Sequence, residues 1–424
     1  MTDTDTPKFS VVMFGSRMHY AVPRILHSAG RLERLFTDIC GVQGWPRLLS
    51  AIPSSMLPRP LRRLKGRVPE GVPRERLNSF PLLGMRYQLW LSRSHTLEAS
   101  CRTHTWAAQK LNGLVIDAGL LNASILFTFD RAGLECMEYV KARGGVCVME
   151  QTVAPVRVWR RLVDDEQRKF PNWEKSGETR ADLSWFAERE EREWALADRI
   201  VCGSEFVRAG IAECGGPIER VRIVPYGIDE RFSCTKAPPH QGPLRVLVVG
   251  EVSLRKGAPY VLEVARRLKD KAEFRMVGPI ATTLEARKSL AQHVELTGQV
   301  PRAEMAVHFA WADVFFLPSL IEGSATVVYE ALSAGVPVVC TPNTGSVVRH
   351  GYNGYIVPIR DVEAMFDVFS GLVQDRASLR ALAENARASS LDYGFKSYSE
   401  RFLNAVGDLS ITREPGKQSV TVLP

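Results

Sequence analysis

The segment Leu317-Pro318-Ser319-Leu320-Ile321-Glu322-Gly323-Ser324-Ala325-Thr326-Val327-Val328-Tyr329-Glu330-Ala331-Leu332 carries two glutamates eight positions apart. The apolar run Val314-Phe315-Phe316-Leu317 leading into it reads as a buried strand, and 324–334 reads as a helix. Glu322 therefore falls in the strand-to-helix loop and Glu330 on the helix. Eight helical residues span about 12 Å at ~1.5 Å per residue. Between the two carboxylates the helix start offers unpaired N–H groups and the positive end of its dipole, which suits a diphosphate. The segment thus fits an elongated ligand that is anionic in the middle.

The alternation extends outward from this unit. Apolar strands at 244–250, 274–278, 293–298, 314–317, 337–341 and 355–358 are separated by helices at 259–268, 284–291, 302–312, 325–334 and 362–373. Continuous apolar strands divided by helices imply a parallel sheet covered on both faces. Ligands of such sheets sit at the carboxyl ends of the strands.

The first half repeats the theme more loosely, with strands at 9–15, 35–40, 125–130, 146–149, 199–202 and 221–225. Residues 41–121 read mostly as helix and loop and interrupt the rhythm. Residues 166–197 read as highly charged helix with Trp185 and Trp194 turned inward. The polar, proline-rich stretch 234–243 reads as a linker. The expected organisation is a first α/β domain over 1–233 and a second over 244–394, facing each other across a cleft. A last helix at 395–410 and a disordered tail at 411–424 follow.

The net charge of +8 is concentrated. Residues 41–95 hold ten arginines and lysines against Glu70 and Glu75, which equals the whole excess. Trp45, Leu48, Leu49, Ile52, Met56, Leu57, Leu61 and Leu64 interleave with them. This basic insertion has two readings: a face that docks on an anionic membrane, or a solvated excursion folded onto its own domain. No recognition motif accompanies the charge, which argues against nucleic acid as a partner.

None of the eight cysteines forms a C-x-x-C pair, and most lie in apolar runs, as expected of reduced core thiols in a cytoplasmic protein. The histidines show no metal-ligand spacing. No apolar run approaches the ~20 residues that cross a bilayer. Residues 1–8 are polar and 9–15 are too short for a signal core, so secretion is not expected.

Five ordered pieces carry a resemblance. They are Val224-Pro225-Tyr226-Gly227-Ile228-Asp229, the turn Arg255-Lys256-Gly257, Leu296-Thr297-Gly298-Gln299-Val300-Pro301, the Glu322/Glu330 pair, and Ala334-Gly335-Val336-Pro337-Val338-Val339. Over roughly 197–408 the chain resembles retaining glycosyltransferases of the two-Rossmann-domain (GT-B) type, in the large bacterial family 4. The first half matches only in its strand and helix rhythm. The resemblance implies two Rossmann-like domains, with the last helix crossing back to the first.

It also implies roles. Breaking the bond between an anomeric carbon and a phosphate oxygen leaves growing negative charge on the diphosphate, and Arg255 and Lys256 would stabilise it. Glu330 would accept hydrogen bonds from the ribose hydroxyls of a nucleotide sugar, and Glu322 would face the donor sugar near its anomeric carbon. Gly323, Ser324 and Ala325 are small enough for close approach. Thr326 and Val327 would lie under the phosphates and ribose, and Val300 would meet the base. Gly15, in the loop Phe14-Gly15-Ser16-Arg17-Met18-His19, would border the donor.

Two departures stand out. Gln151 occupies the place where relatives carry an acceptor-side histidine; Glu150 beside it is a second acceptor-side candidate that could act as a base, although strand alternation points it away from Gln151. Glu251 follows Gly250 where many relatives have arginine, and Arg255 would replace that charge. Arg17 or His19 would reach the acceptor or the diphosphate from across the cleft; His19 reads equally as an ordinary helix-start residue.

The expected activity is transfer of a sugar from a nucleoside diphosphate sugar to a saccharide or lipid-linked acceptor with retention of configuration, in polysaccharide or glycolipid assembly on the cytoplasmic face of a membrane. No cofactor or metal is expected. The one Asp-x-Asp, Asp3-Thr4-Asp5, reads as a solvated terminus, and a basic pair with a helix end can take a cation's place. The alternatives are a non-catalytic nucleotide-sugar-binding protein, to which Gln151 and Glu251 point, and a sugar-nucleotide epimerase on the same fold.

Overall fold

The computed structural model describes residues 7–120, 125–174, 182–228, 232, 234 and 240–409. Asp3-Thr4-Asp5, Asp229, 235–239 of the expected linker, 175–181 of the expected charged helix, and the expected tail lie outside the described residues.

Two parallel sheets form the frame. The first holds β1 (Phe9–Met13), β2 (Leu32–Thr37), β3 (Leu77–Ser79), β4 (Ile125–Phe129), β5 (Val146–Gln151), β6 (Arg199–Cys202) and β7 (Val221–Ile223), in the order β3-β2-β1-β4-β5-β6-β7. The second holds β8 (Leu244–Val249), β9 (Ala272–Val277), β10 (Val294–Gly298), β11 (Val314–Leu317), β12 (Val338–Cys340) and β13 (Gly354–Ile356), in the order β10-β9-β8-β11-β12-β13. Every pairing between these strands is parallel. The chain winds outward from the middle strand in each sheet, so the order reverses between β1 and β4 and between β8 and β11. Those switch points are where doubly wound sheets open a crevice at their carboxyl ends.

The apolar runs set these strands. Val314, Phe315, Phe316 and Leu317 are fully buried, with their side chains divided between the two layers of the second domain. Two elements were not expected. β3 lies inside the basic insertion and extends the first sheet's edge; only Leu77 of its three residues is buried, so no apolar run announces it. The helix Arg376–Ser390 is mostly polar and turns a narrow stripe of Leu379, Leu382 and Ala386 inward. The expected charged helix is two helices, Val156–Lys169 and Ser184–Leu196, with Trp194 buried and Trp185 half-buried.

The last helix, Phe395–Gly407, packs on the first domain. Its Tyr398, Phe402 and Val406 join the core of Phe9, Val11 and Phe127. The Phe127 and Phe402 rings are 5.5 Å apart, and Arg199 donates to Ala405 O at 2.6 Å. The expected crossing is therefore present. Among the described residues no helix is long and apolar enough to cross a membrane.

Candidate active site

The carboxyl ends of β1, β5, β8 and β11 converge on one cleft of about 610 Å³ between the domains. The facing domains approach closely. Ser204 Oγ donates to Gly323 O at 2.5 Å, and a Cβ on Gly323 would lie 1.8 Å from Thr152 O. Only glycine fits there. Tyr329 OH accepts from Tyr226 N at 3.1 Å and bonds Ser324 Oγ at 2.7 Å.

The second domain supplies a cation, two carboxylates and a helix end. After β8 the chain turns through Arg255, Lys256 and Gly257, whose φ of 76° starts the helix Ala258–Arg267. Leu320 N donates to Arg255 O at 2.9 Å, which locks this turn to the loop after β11. Lys256 Nζ lies 2.5 Å from Glu322 Oε1, and Arg255 reaches the same oxygen at 3.3 Å. Burial holds the Lys256 ammonium below the ordinary lysine value, and Glu322 partly opposes that shift. The helix Thr326–Ser333 has no side-chain cap; Ala325 N donates to Thr344 O and Val328 N to Ala325 O, so the amides it offers a ligand in the cleft are those of Thr326 and Val327. Glu330 Oε1 receives Arg302 at 3.1 Å.

The cleft brings together Lys256, Glu322, Gly323, Ser324, Ala325, Thr326, Val327 and Glu330 from the second domain with Arg17 and His19 from the first. It does not bring in all the expected residues. Arg255 lines an adjoining cavity that shares Glu322 with the cleft. Val300 packs half-buried among the second domain's apolar residues. Gly15 lies just behind the cleft, its N–H donating to Asp38 Oδ1 at 2.8 Å.

The acceptor-side expectation for Gln151 needs correction. Gln151 is fully buried. Its amide donates to Glu190 at 2.8 Å and to Val153 O at 3.0 Å, and accepts from Trp194 Nε1 at 2.8 Å. Every polar atom of its side chain serves the core. Glu150 points the other way, as the pleat requires. It is buried beneath Arg17 and accepts from Tyr226 OH at 2.8 Å and Arg17 Nε at 3.3 Å. Burial pushes the Glu150 carboxyl up against the opposing pull of Arg17. Glu150 thus anchors Arg17 from below instead of lining the cleft.

The loop that carries Arg17 is strained. Met18, His19 and Tyr20 have φ of 44°, 52° and 59°, three consecutive left-handed residues with no glycine among them. Such backbone persists only where surroundings over-determine it. Here Tyr20 is fully buried, and Arg17 is held by Glu150 and by Tyr226 OH at 2.6 Å. Sequence reading placed Arg17 and His19 near the cleft but missed this turn and its partner Tyr226. Tyr226 stood inside the quoted 224–229 motif, so the signal was present.

Residues 243–375 match the family model described as glycosyl transferases group 1. Among curated proteins, the chain is 28% identical over 191 residues to the amylovoran biosynthesis glycosyltransferase AmsK of Erwinia amylovora, covering 41% of this chain and 47% of that protein. It is 31% identical over 217 residues to the GDP-mannose-dependent alpha-(1-6)-phosphatidylinositol monomannoside mannosyltransferase of Mycobacterium tuberculosis, covering 45% and 55%. The chain spans about half the length of the curated relatives it matches. Among solved structures, the Anabaena protein HepE in complex with UDP superposes with a TM-score of 0.61 at 13% identity, over 95% of this chain and all of that one. Sucrose-phosphate synthase from Thermosynechococcus elongatus gives 0.61 at 16%, over 95% and 98%. At these identities the structures establish the fold, which is GT-B.

Proposed function

We propose that this protein is a retaining glycosyltransferase of family 4, moving a sugar from a nucleoside diphosphate donor to a saccharide or lipid-linked acceptor. One observation carries the reading: Lys256, the open end of the helix Thr326–Ser333, Glu322 and Glu330 line a single cleft between two Rossmann-like domains.

In this reading the diphosphate takes its place between Lys256 and the helix amides, exchanging the Lys256–Glu322 contact for a phosphate. Glu322 then turns to the donor-sugar hydroxyls, and Glu330 releases Arg302 to hold the ribose. The bond from the anomeric carbon to the phosphate oxygen breaks, and its electrons pass to the diphosphate. The acceptor oxygen bonds to that carbon on the same face and gives its proton to the leaving phosphate oxygen. Lys256 stabilises the charge that grows there, with Arg255 held behind it on Ile321 O and Glu322. No metal is needed for that role. Water excluded by the closed domains cannot intercept the donor.

In this reading the acceptor sits at the cytoplasmic face of a membrane. Leu48, Met56 and Leu82 are each more than 70% exposed, and Met85, Leu89 and Trp90 are partly so, all within or beside the basic insertion. Names of relatives in amylovoran, colanic acid and phosphatidylinositol mannoside synthesis support a polysaccharide or glycolipid product. Flotation with anionic and neutral liposomes tests the placement; equal recovery with both removes it.

The activity itself is tested with a panel of nucleotide sugars and crude glycolipid acceptors. Release of nucleoside diphosphate coupled to a new glycoside, lost in Glu322→Gln, is expected, and the anomeric proton of the product should keep the donor's configuration. A nucleotide sugar that binds and is recovered intact with every acceptor would favour a non-catalytic binding protein.

A further inference from the structure

A second cavity, of about 320 Å³, adjoins the cleft and shares Glu322 and Val153 with it. Its walls come from both domains. Leu97 and Cys101 project from the helix Leu97–Asp117, Trp159 from Val156–Lys169, Phe186 from Ser184–Leu196, and Ile321 from the loop after β11.

The charged groups of this cavity are already paired with protein atoms. Arg131 is ion-paired with Asp130 and lies 3.9 Å from Glu190, and its guanidinium also stacks over the Phe186 ring. Arg255 donates to Ile321 O at 3.1 Å and to Glu322. A polyhydroxylated ring seated here would leave hydroxyls without partners, at roughly 1–3 kcal/mol each. The Trp159 and Phe186 rings instead offer apolar contact area. The volume is at the lower end of ligand-sized pockets, about 300–1,000 Å³, enough for a ring or a short chain and too small for a long lipid.

We propose that this cavity is a subsite for an apolar or aromatic group of the acceptor, attached next to the hydroxyl that receives the sugar. The proposal rests on the glycosyltransferase reading above, since it takes Glu322 as the marker of the reacting centre. A group in the cavity lies against Glu322 on one side while the donor occupies the cleft on the other. Acceptors with a bare reducing sugar leave the cavity unfilled.

The test compares phenyl with methyl glycosides of glucose, galactose and mannose, by calorimetric titration of the full chain in the presence of a nucleoside diphosphate. At least one phenyl glycoside should bind about tenfold more tightly than its methyl partner. Leu97→Trp and Cys101→Phe, which fill the cavity, should bring that ratio within twofold while leaving the thermal shift by nucleoside diphosphate unchanged. Equal or absent binding of the two series, or a preference that survives in a folded filled variant, overturns the proposal. If one variant fails to fold, the wild-type ratio and the other variant carry the test. Absence of any nucleoside diphosphate shift would instead count against the donor-site reading, and the phenyl-to-methyl ratio is read independently of it.

Discussion

Lys256 Nζ and Glu322 Oε1 are 2.5 Å apart at the centre of the cleft, with side chains only 10% and 12% exposed. The carboxylate holds the cation ready in the place where a diphosphate would arrive. A ligand that brings its own negative charge can replace Glu322 at little electrostatic cost, whereas a neutral ligand would leave a buried pair half broken.

This pair makes the rate sensitive to alkaline pH. Burial lowers the Lys256 pKa from the ordinary 10.5, with Glu322 opposing. The native chain therefore gives up this proton before the unfolded chain does. Between the native value and 10.5 the unfolded state binds more protons, so this group makes stability rise with pH in that window. In the proposed reaction the rate moves the other way, because the neutral amine no longer stabilises the leaving group. A profile of kcat/KM against pH should show an alkaline limb below 10.5 that disappears from the measured range in Lys256→Arg, whatever that variant's absolute rate.

Glu330 is a binding group in this account, and its partner Arg302 is 59% exposed. Glu330→Ala should weaken nucleoside diphosphate binding about 10–100-fold, the loss of charged hydrogen bonds of about 1.5–3 kcal/mol. Stability in the urea melt should fall by about 1 kcal/mol or less, as for an ion pair with one exposed partner. Calorimetric titration beside a urea melt separates the two; unchanged affinity contradicts the assignment.

Gln151 is predicted to serve stability alone. Gln151→Leu removes partners from Glu190 and from Trp194 Nε1 in the core and should cost about 1–3 kcal/mol. The acceptor KM should stay within twofold. A tenfold rise in that KM at undiminished stability would restore Gln151 to the acceptor site.

The left-handed turn at Met18 gives a test of opposite sign. Relief of left-handed strain is worth about 1–2 kcal/mol, and the extra freedom of glycine when unfolded takes back about 0.5–1 kcal/mol. Met18→Gly should therefore be neutral to stabilising by up to about 1.5 kcal/mol in a urea melt, where glycine in a helix would destabilise. A loss above about 1 kcal/mol would mean that the side chain, not the backbone, holds the turn.

Much of the second domain was legible because its strands are short apolar runs bounded by turns, such as Val314–Leu317. The Glu322 and Glu330 placement followed from one strand, one loop and one helix in sequence. What escaped depended on neighbours distant in the chain. β3 gains its place from pairing with β2 and not from its own Leu77-Asn78-Ser79. Strand alternation separated Glu150 from Gln151, but only the positions of Glu190 and Trp194 make Gln151 a core residue. Arg255 and Lys256 are adjacent in sequence, yet they face different cavities, because Arg255 is drawn to Ile321 O.

On the proposed function, the cleft grips the diphosphate of a nucleotide through Lys256 and the helix end beside it. The most direct measurement is the thermal shift of the full chain with each nucleoside diphosphate and its phosphate-free nucleoside. At a hundredfold excess over Kd, a diphosphate that binds only the native state should add about 2.7 kcal/mol, the nucleoside much less, and Lys256→Met should abolish most of the difference. Equal shifts by nucleoside and nucleoside diphosphate, or a diphosphate shift undiminished in a folded Lys256→Met, would contradict it.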